Sequence, residues 1–447
     1  MREYTYIDLF SGPGGLCTGF ISEGFVPRIA VEWSDTTVVT YAKSHDAEIY
    51  ELQDLLANLG QLENILKKTK KTCLIHGDIN QVSNELIREV LKKKFGETTV
   101  DVVTGGAPCE SFSMAGKRLE NDARNDLFSN ILRIAHAVDS TYVLFENVPG
   151  LLTKKRDGKP GGQIEYVFDE FERPNEETGA FYRLATRDVD VFKCMAADYG
   201  TPQKRERIFV VGCNSNHGEN RFVYPEKTHG PGRRYDYVTV EDAFRYLPVV
   251  HSAEGEEEMS YHPTYEEDYA KGLISEAAYE YYKFIFGDEH SGNPNYRRDV
   301  VTFHKALNHN KKMVRRLHEI KQGEGMQSAA ERLIAEGREE VVKECFPNKM
   351  YASRNRRLKS NEPSFTVTSH CLDEMIHPIY DRQPTPREVA RLQAFPDWYV
   401  INGPYVKFHS DPEQDKYEQV GDAIPVLMAK ALARSMRTAL DLIKKND

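Results

Sequence analysis

Short β-rich runs alternate with helical patterns through the first two hundred residues, and no other feature of the chain restricts its fold so strongly. Strands spaced by helices run in the same direction, which builds a parallel sheet covered by helices on both faces. The β-rich runs are 4–10, 28–32, 73–77, 101–104, 142–146, 182–192 and 207–212. Between residues 44 and 71 the apolar Leu52, Leu55, Leu56, Leu59, Leu62, Ile65 and Leu66 recur at helical spacing, which predicts one amphipathic helix or two. The expected class is α/β: a doubly wound, mostly parallel Rossmann-like sheet with a second, smaller domain.

The alternation stops after Gly212. A turn-rich connector at 225–248, centred on His229-Gly-Pro-Gly232, marks where the second domain begins. Its composition is Tyr-rich and acidic to about residue 288, then basic and helical, then β-like at Pro363-Ser-Phe-Thr-Val-Thr-Ser369. Helical patterning returns at 385–395 and 426–443.

With 447 residues and 40% apolar composition, the chain can bury a substantial core. A net charge of -10 argues against a polyanionic partner, but net charge does not report local field. Acidic residues crowd 254–289, while 297–321 and 354–359 are rich in Lys, Arg and His, so a basic surface and an ordinary solvated face both fit the charge pattern. Seven scattered cysteines, without a C-x-x-C pair, read as reduced thiols rather than disulfides or zinc ligands. Met1 runs directly into the first β-rich run without the parts of a signal peptide, and no apolar run spans a bilayer. A cytoplasmic protein is expected, or a nuclear one if the source is eukaryotic.

The first strand ends in Asp8-Leu-Phe-Ser-Gly-Pro-Gly-Gly15, a glycine turn that opens into a helix and brings backbone N–H groups close to a ligand. Glu32-Trp33 ends the second strand, where a carboxylate can accept ribose hydroxyls and an indole can cover adenine. Gly77-Asp78-Ile79 adds a carboxylate for an adenine amino group. Three strand ends converging on an adenosine explain these residues better than three unrelated turns.

Cys109 lies in Gly105-Gly-Ala-Pro-Cys-Glu-Ser-Phe-Ser113, on a loop beyond a strand end. A lone Cys is usually a small buried hydrophobe. The polar run that follows, with Ser111, Ser113, Gly116, Lys117 and Arg118, is unsuited to an inert core thiol. The next strand ends in Phe145-Glu-Asn-Val-Pro-Gly150 and sets Glu146 beside that loop. A thiolate adding to C6 of cytosine makes C5 nucleophilic, provided a carboxyl group serves N3 as charge develops. Such chemistry needs no metal. Gln203-Lys-Arg-Glu-Arg207 leads into a strand whose alternation sends Arg205 and Arg207 to one face, either toward a base and its phosphates or into an ion-pair ladder with Glu206.

These residues resemble the DNA (cytosine-5) methyltransferase family, of the prokaryotic or phage modification type. Phe10–Gly15 looks like its cofactor motif, Pro108-Cys109 with Phe112-Ser113 its nucleophile motif, Glu146-Asn-Val148 its acid motif and Gln203–Arg207 its arginine motif. Thr385-Pro-Arg-Glu-Val-Ala-Arg-Leu-Gln-Ala-Phe-Pro-Asp397 and Gln419-Val-Gly-Asp-Ala-Ile-Pro425 are similar to its last two. The resemblance implies Cys109 as nucleophile, Glu146 as N3 partner, Arg207 reaching the base and Arg205 in a structural or phosphate contact. It implies S-adenosyl-L-methionine as cofactor, held by Phe10, Ser11, Gly12, Gly14, Gly15, Leu16, Glu32, Trp33, Asp78, Ile79, Pro108 and Leu127, with Asp422 and Ala423 at the edge.

It further implies a catalytic domain over 1–234, a target-recognition domain over 235–379, and a support element with a returning C-terminal helix over 380–447. The segment from Ser111 through Arg118 to about Arg124 would close over flipped double-stranded DNA. Arg297, Arg298, Arg354, Arg356 and Arg357 are the candidates for DNA contact. A monomer without membrane attachment is expected, and this type of enzyme leaves room for a cognate restriction endonuclease acting on the same site without direct contact. Two departures stand out: Glu110 where many relatives carry Gln, and Asp422 with Ile424 where Asn and Val are commoner. A carboxylate beside the thiol disfavours the thiolate, so Glu110 is expected to alter loop closure or the pH optimum. Two alternatives remain open: a tRNA cytosine-5 methyltransferase, and an inactive DNA-binding protein on the same scaffold.

Overall fold

The computed structural model describes residues 2–107, 127–407 and 413–444. The chain forms two compact units: Met1–Met195 with Glu206–Glu226 and Val426–Asp447, and Ala196–Arg205 with Lys227–Pro425. In the first unit β1 (Tyr4–Leu9), α1 (Gly15–Ile21), β2 (Phe25–Glu32), α2 (Asp35–His45), β3 (Ala47–Glu51), α3 (Leu52–Ala57) and β4 (Thr72–His76) follow one another. Then come α4 (Asn84–Val90), β5 (Val102–Gly106), α5 (Ser129–Ala137), β6 (Tyr142–Asn147), α6 (Gly162–Glu172), β7 (Tyr182–Leu184), α7 (Val189–Phe192) and β8 (Lys193–Met195). After the short β9 (Gln203–Lys204) of the second unit, β10 (Glu206–Asn214) re-enters this sheet.

The nine-stranded sheet has the order β3-β4-β2-β1-β5-β6-β10-β7, with β8 also on β10. Pairing is parallel from β3 to β6 and antiparallel where β10 meets β6, β7 and β8. The expected doubly wound, mostly parallel class is therefore the observed one. All six residues of β6 are buried, as in a strand covered on both faces. One face packs Ile7, Leu9, Val31, Val103 and Phe145 with Leu86, Ile87, Ile131 and Ile134 of α4 and α5. Strand order reverses between β1 and β5, and the carboxyl ends of these two strands flank the crevice where open α/β sheets bind ligands.

Two predicted elements are corrected. The stretch 44–71 is not continuous helix: α2 ends at His45, Asp46 adopts φ 51°, and β3 runs along β4 before α3 begins. The helical spacing of the leucines arises because Leu52 and Leu55 of α3 and Leu62 beyond it face the same core. The run 182–192 is not one strand either, because β7 ends at Leu184 and Asp188 caps the α7 turn through Asp190 N–H.

The second unit contains α8 (Val240–Phe244), β11 (Gly255–Ser260), α9 (Tyr265–Ala270), α10 (Glu276–Phe286), β12 (Val300–Lys305), α11 (Lys311–Glu319) and α12 (Met326–Ala335). It continues with α13 (Glu339–Cys345), β13 (Arg356–Arg357), β14 (Ser364–Phe365), α14 (Cys371–Glu374), β15 (Met375–Ile376), α15 (Pro386–Leu392) and α16 (Lys416–Asp422). Its strands pair as β11–β12, β13–β15 and β14–β9.

The centre of this unit is ionic. Thr385 and Glu388 cap α15 reciprocally, and both Glu388 oxygens meet Arg382 at 2.7 Å. Arg391 meets Asp397 at 2.7 Å, and Arg387 donates to the carbonyls of Thr302, Pro396 and Tyr399. Buried guanidinium groups persist only when paired and hydrogen-bonded in this way.

The final helix, α17 (Val426–Ile443), returns to the first unit and lies against α1. Gly19 permits that approach, since a Cβ there would stand 2.6 Å from Ala429 Cβ. No helix among the described residues is long and apolar enough to cross a membrane.

Candidate active site

The turn after β1 is built by backbone conformations that favour glycine: Gly12 and Gly14 have φ of 54° and 91°, and Phe10 shares the region at 55°. Gly14 N–H closes the turn onto Ser11 C=O at 3.0 Å, and Ser11 N–H donates to Val31 C=O of β2 at 3.1 Å. Glu32, buried at the end of β2, accepts Gly12 N–H through Oε2 at 2.8 Å and Ser34 N–H through Oε1 at 3.0 Å. Burial pushes its pKa up, and the backbone N–H groups of Ser34 and Gly12 pull it back. The Trp33 N–H also bonds to this carboxylate, which still retains acceptor capacity for a ribose hydroxyl.

Trp33 leaves its indole 76% exposed beside this carboxylate. Asp78 is exposed, with Oδ1 capping the turn of Ile79–Gln81 through Asn80 N–H, whereas Ile79 and Leu16 are buried and Leu127 is half-buried against the core. Ser11 Oγ is buried and finds no partner among the described residues. Gly15 opens α1. Asp422 is exposed and accepts from Gln414, and Ala423 is buried; both belong to the second unit.

Beside the crevice, β6 and β10 bring two charged side chains together. Glu146 pairs in register with Phe209, and Arg207 Nε lies 2.9 Å from Glu146 Oε1 with both side chains largely withdrawn from solvent. On the other side Gly106 of β5 is the register partner of Glu146, and a Cβ at Gly106 would stand 2.7 Å from Oε2. Asn147 Nδ2 donates to Ala107 C=O at 3.2 Å, which ties the end of β6 to the start of the segment carrying Cys109. Cys109 itself, with Pro108, Ser111, Ser113, Gly116, Lys117 and Arg118, lies outside the described residues.

Arg205 and Arg207 do not act as a pair on one face. Arg205 precedes β10, is buried, and donates to Val367 C=O within the second unit, so its guanidinium has a structural contact. Among the five arginines expected to contact DNA, Arg357 is a correction. It is buried and donates to the carbonyls of Leu317, Ile320, His377 and Tyr380 and to the Asp381 carboxylate, which leaves nothing to present to a groove. Arg297 faces Asp299, Arg298 is clamped by Asp288 and Arg354 reaches Asp373, all on the surface. Arg356 lies flat on Phe365, 3.5 Å from the ring centroid.

The profile of the C-5 cytosine-specific DNA methylase family matches residues 60–438. The chain belongs to this family. Among the relatives of this C-5 methylase, the Type II methyltransferase M.DdeI of Desulfomicrobium norvegicum is 28% identical over 96% of this chain and 87% of that one. M1.HphI of Haemophilus parahaemolyticus, also named a Type II methyltransferase, is 27% identical over 97% and 86%. The fold matches a crystal structure described as a DNA modification methyltransferase encoded within an E. coli prophage, with TM-score 0.67 and 22% identity across 98% of this chain and 99% of that one.

As a DNA cytosine-5 methyltransferase, the protein transfers a methyl group from S-adenosylmethionine to cytosine in DNA. The described residues fit that cofactor: a glycine turn in which a Cβ at Gly12 would meet only the Phe10 carbonyl, a buried carboxylate with spare acceptor capacity, an open indole face and a serine hydroxyl without a partner among the described residues gather at the ends of β1 and β2. Three contributors were missed in the sequence. Gly106 read only as a loop glycine, although a glycine at a strand end beside a carboxylate is a signal for close approach. Asn147 read as part of a motif without a task. Asp8, buried in β1, accepts from Thr104 Oγ1 at 2.7 Å, and burial pushes its carboxyl up to about 7. Only the register of β1 on β5 reveals that pairing.

Proposed function

We propose that the protein is a type II modification enzyme that methylates cytosine at C5 within a specific double-stranded DNA sequence, with Cys109 as nucleophile and Glu146 and Arg207 as its partners. The observation that carries the reading is the Arg207–Glu146 ion pair at the crevice, with Asn147 anchoring the chain just before the Cys109 segment.

The target base is swung out of the duplex because C6 is shielded within the stack. Cys109 thiolate bonds to C6, and Glu146 serves N3 and the exocyclic amine while charge builds on the ring. Arg207 holds the Glu146 carboxylate in place and offers its remaining N–H groups to the base carbonyl. When bound, S-adenosylmethionine would supply the methyl group, its S–CH3 bond breaking as C5 bonds to carbon and the neutral thioether S-adenosylhomocysteine leaving; Glu32, Trp33, Asp78 and the Phe10–Leu16 turn would hold that donor, with Ile79, Pro108 and Leu127 as apolar wall. A base removes the C5 proton and the thiolate leaves C6, which restores the aromatic ring and the free enzyme.

Residues 235–379 act as the target-recognition region and 380–447 as support and return. Ser111, Ser113, Gly116, Lys117 and Arg118 close on the DNA backbone. The enzyme works as a monomer in the cytoplasm, since one flipped base needs one site, and a companion endonuclease cleaves the same unmodified sequence. Expression in a host lacking cytosine methylation, followed by bisulfite sequencing, tests the reading. Methylated cytosines confined to one short motif are expected; an unmethylated genome with folded protein present overturns it.

A further inference from the structure

Sequence-specific methylation requires side chains that meet base edges in a fixed orientation, because a bidentate contact tells one base from another only when its two donors are held in plane. The second unit carries many cations, and most are already engaged. Arg298, Arg297 and Arg354 sit in surface ion pairs, Arg315 meets Glu344, Lys359 meets Glu362, and Arg357 is buried among carbonyls.

Arg356 differs from all of these. Its guanidinium lies over Phe365 at 3.5 Å from the ring centroid, its Nε donates to Ser353 C=O at 3.3 Å, and its Nη atoms have no hydrogen bond or ion pair among the described residues. The backbone beneath it is pinned on both sides. Asn355 is buried in the left-handed region at φ 50° and bonds to Asp373 C=O through its N–H and its Nδ2. Arg357 N–H donates to Glu324 C=O, Arg357 C=O accepts from Gly323, and β13 pairs with β15. The stem is held too: a Cβ at Gly325 would stand 3.2 Å from Arg356 Cγ, so that glycine gives the side chain its space. Phe365 is fixed in turn by β14 pairing with β9, where it is opposite Lys204.

We propose that Arg356, held flat by Phe365, is a specificity-determining residue that reads a guanine of the recognition sequence through O6 and N7 in the major groove. A planar guanidinium with two free N–H donors matches that edge, and stacking on an aromatic face removes the rotational freedom a solvent-exposed arginine would lose on binding. The proposal rests on residues 235–379 being the recognition region.

The test compares the methylated motif left by the wild type with those of Arg356→Lys, Arg356→Ala and Phe365→Leu in the methylation-free host. Lysine keeps the charge and loses the plane. The expected result is relaxed discrimination at one G·C position, on the order of ten- to a hundredfold, with every other position unchanged. A phosphate contact would instead leave the motif intact and lower methylation uniformly, and that outcome overturns the proposal, as does an unchanged motif at full activity. Purified wild type supplies the second measurement, independent of how the variants fold. Replacing each guanine of the site singly by 7-deazaguanine should identify one position where removing N7 costs about tenfold or more, and a flat scan overturns the assignment. If the wild type leaves no 5-methylcytosine at all, the failure belongs to the functional reading and not to Arg356.

Discussion

Arg207 Nε and Glu146 Oε1 stand 2.9 Å apart across the antiparallel junction of β6 and β10, where the parallel sheet turns into its antiparallel edge. The two residues are 61 positions apart in the chain (207 − 146), and only the β6–β10 register brings them together. An ion pair so little exposed is orientationally fixed, because neither group can exchange its partner for water without cost. The pair sets a carboxylate beside the end of β5, where Gly106 leaves the space for it.

Removing either half should affect turnover more than DNA binding. Glu146→Gln keeps the shape and loses the proton-carrying group, so kcat should fall about a hundred- to ten-thousandfold with the Kd for duplex DNA changed by less than about tenfold. Gly106→Ala pushes a methyl group toward Glu146 Oε2 and should lower kcat by about a hundredfold through misplacement alone. Single-turnover methylation and DNA-binding titrations separate these effects; parallel losses in both would contradict the assigned role.

Glu32 braces the glycine turn and, in the proposed mechanism, holds the donor's ribose. Glu32→Ala removes the acceptor of Gly12 N–H, so S-adenosylmethionine affinity measured by calorimetry should weaken by about a hundredfold or more. Trp33→Ala, with its indole largely exposed, should weaken binding by about tenfold and leave the melting temperature unchanged. Wild-type affinity in both variants would place the donor elsewhere.

Arg391 and Asp397 form a fully buried pair within the second unit. Arg391→Met leaves the carboxylate without its main partner and should cost about 3–5 kcal/mol in urea unfolding. Because Tyr261 Oη also donates to Asp397 at 2.7 Å, Asp397→Asn should cost less than Arg391→Met. The reverse order would show that the arginine, not the carboxylate, is the group burial penalises more.

His377 is buried beside Glu388, and burial holds its pKa down at about 3 despite that carboxylate. A histidine that stays neutral in the fold and ionises near 6.5 when unfolded gives stability that is fully present above pH 6.5 and is lost as pH falls toward 3. Unfolding free energy should therefore drop between pH 6.5 and 4, with about 3 kcal/mol of the fall assignable to this residue. Its Nδ1 accepts the N–H groups of Ile379 and Tyr380, so His377→Asn keeps an acceptor and should flatten the slope. An unchanged slope would assign the acid sensitivity to other groups.

Much of the first unit was legible because its information is local. β1, β2, β4, β5 and β6 announce themselves as short apolar runs, and the Phe10–Gly15 turn and Glu32-Trp33 sit at their ends, where function collects in such sheets. β3 was hidden, since Ala47–Glu51 has only two strongly apolar residues and lies among leucines at helical spacing. The partners of Arg205, Arg207 and Arg357 were not legible. Three arginines in polar stretches look alike in sequence, and one meets a carboxylate, one the Val367 carbonyl and one a cage of carbonyls only after distant strands pair. Arg382, Arg387 and Arg391, three cations within ten residues with Glu388 and Asp397 among and just beyond them, form a buried core that no local apolar pattern announces.

The bond between Cys109 and C6 of the target base is the most direct point of attack. A duplex with 5-fluorocytosine at the methylated position blocks the last step, since fluorine cannot leave as a proton does, and should trap the protein with S-adenosylmethionine as a covalent complex stable to denaturation. The account predicts that mass spectrometry of the digested complex places the nucleotide on the peptide containing Cys109, and that Cys109→Ser forms no such complex. Ordinary methylation of cytosine DNA without any trapped complex, or an undiminished complex with Cys109→Ser, would contradict it.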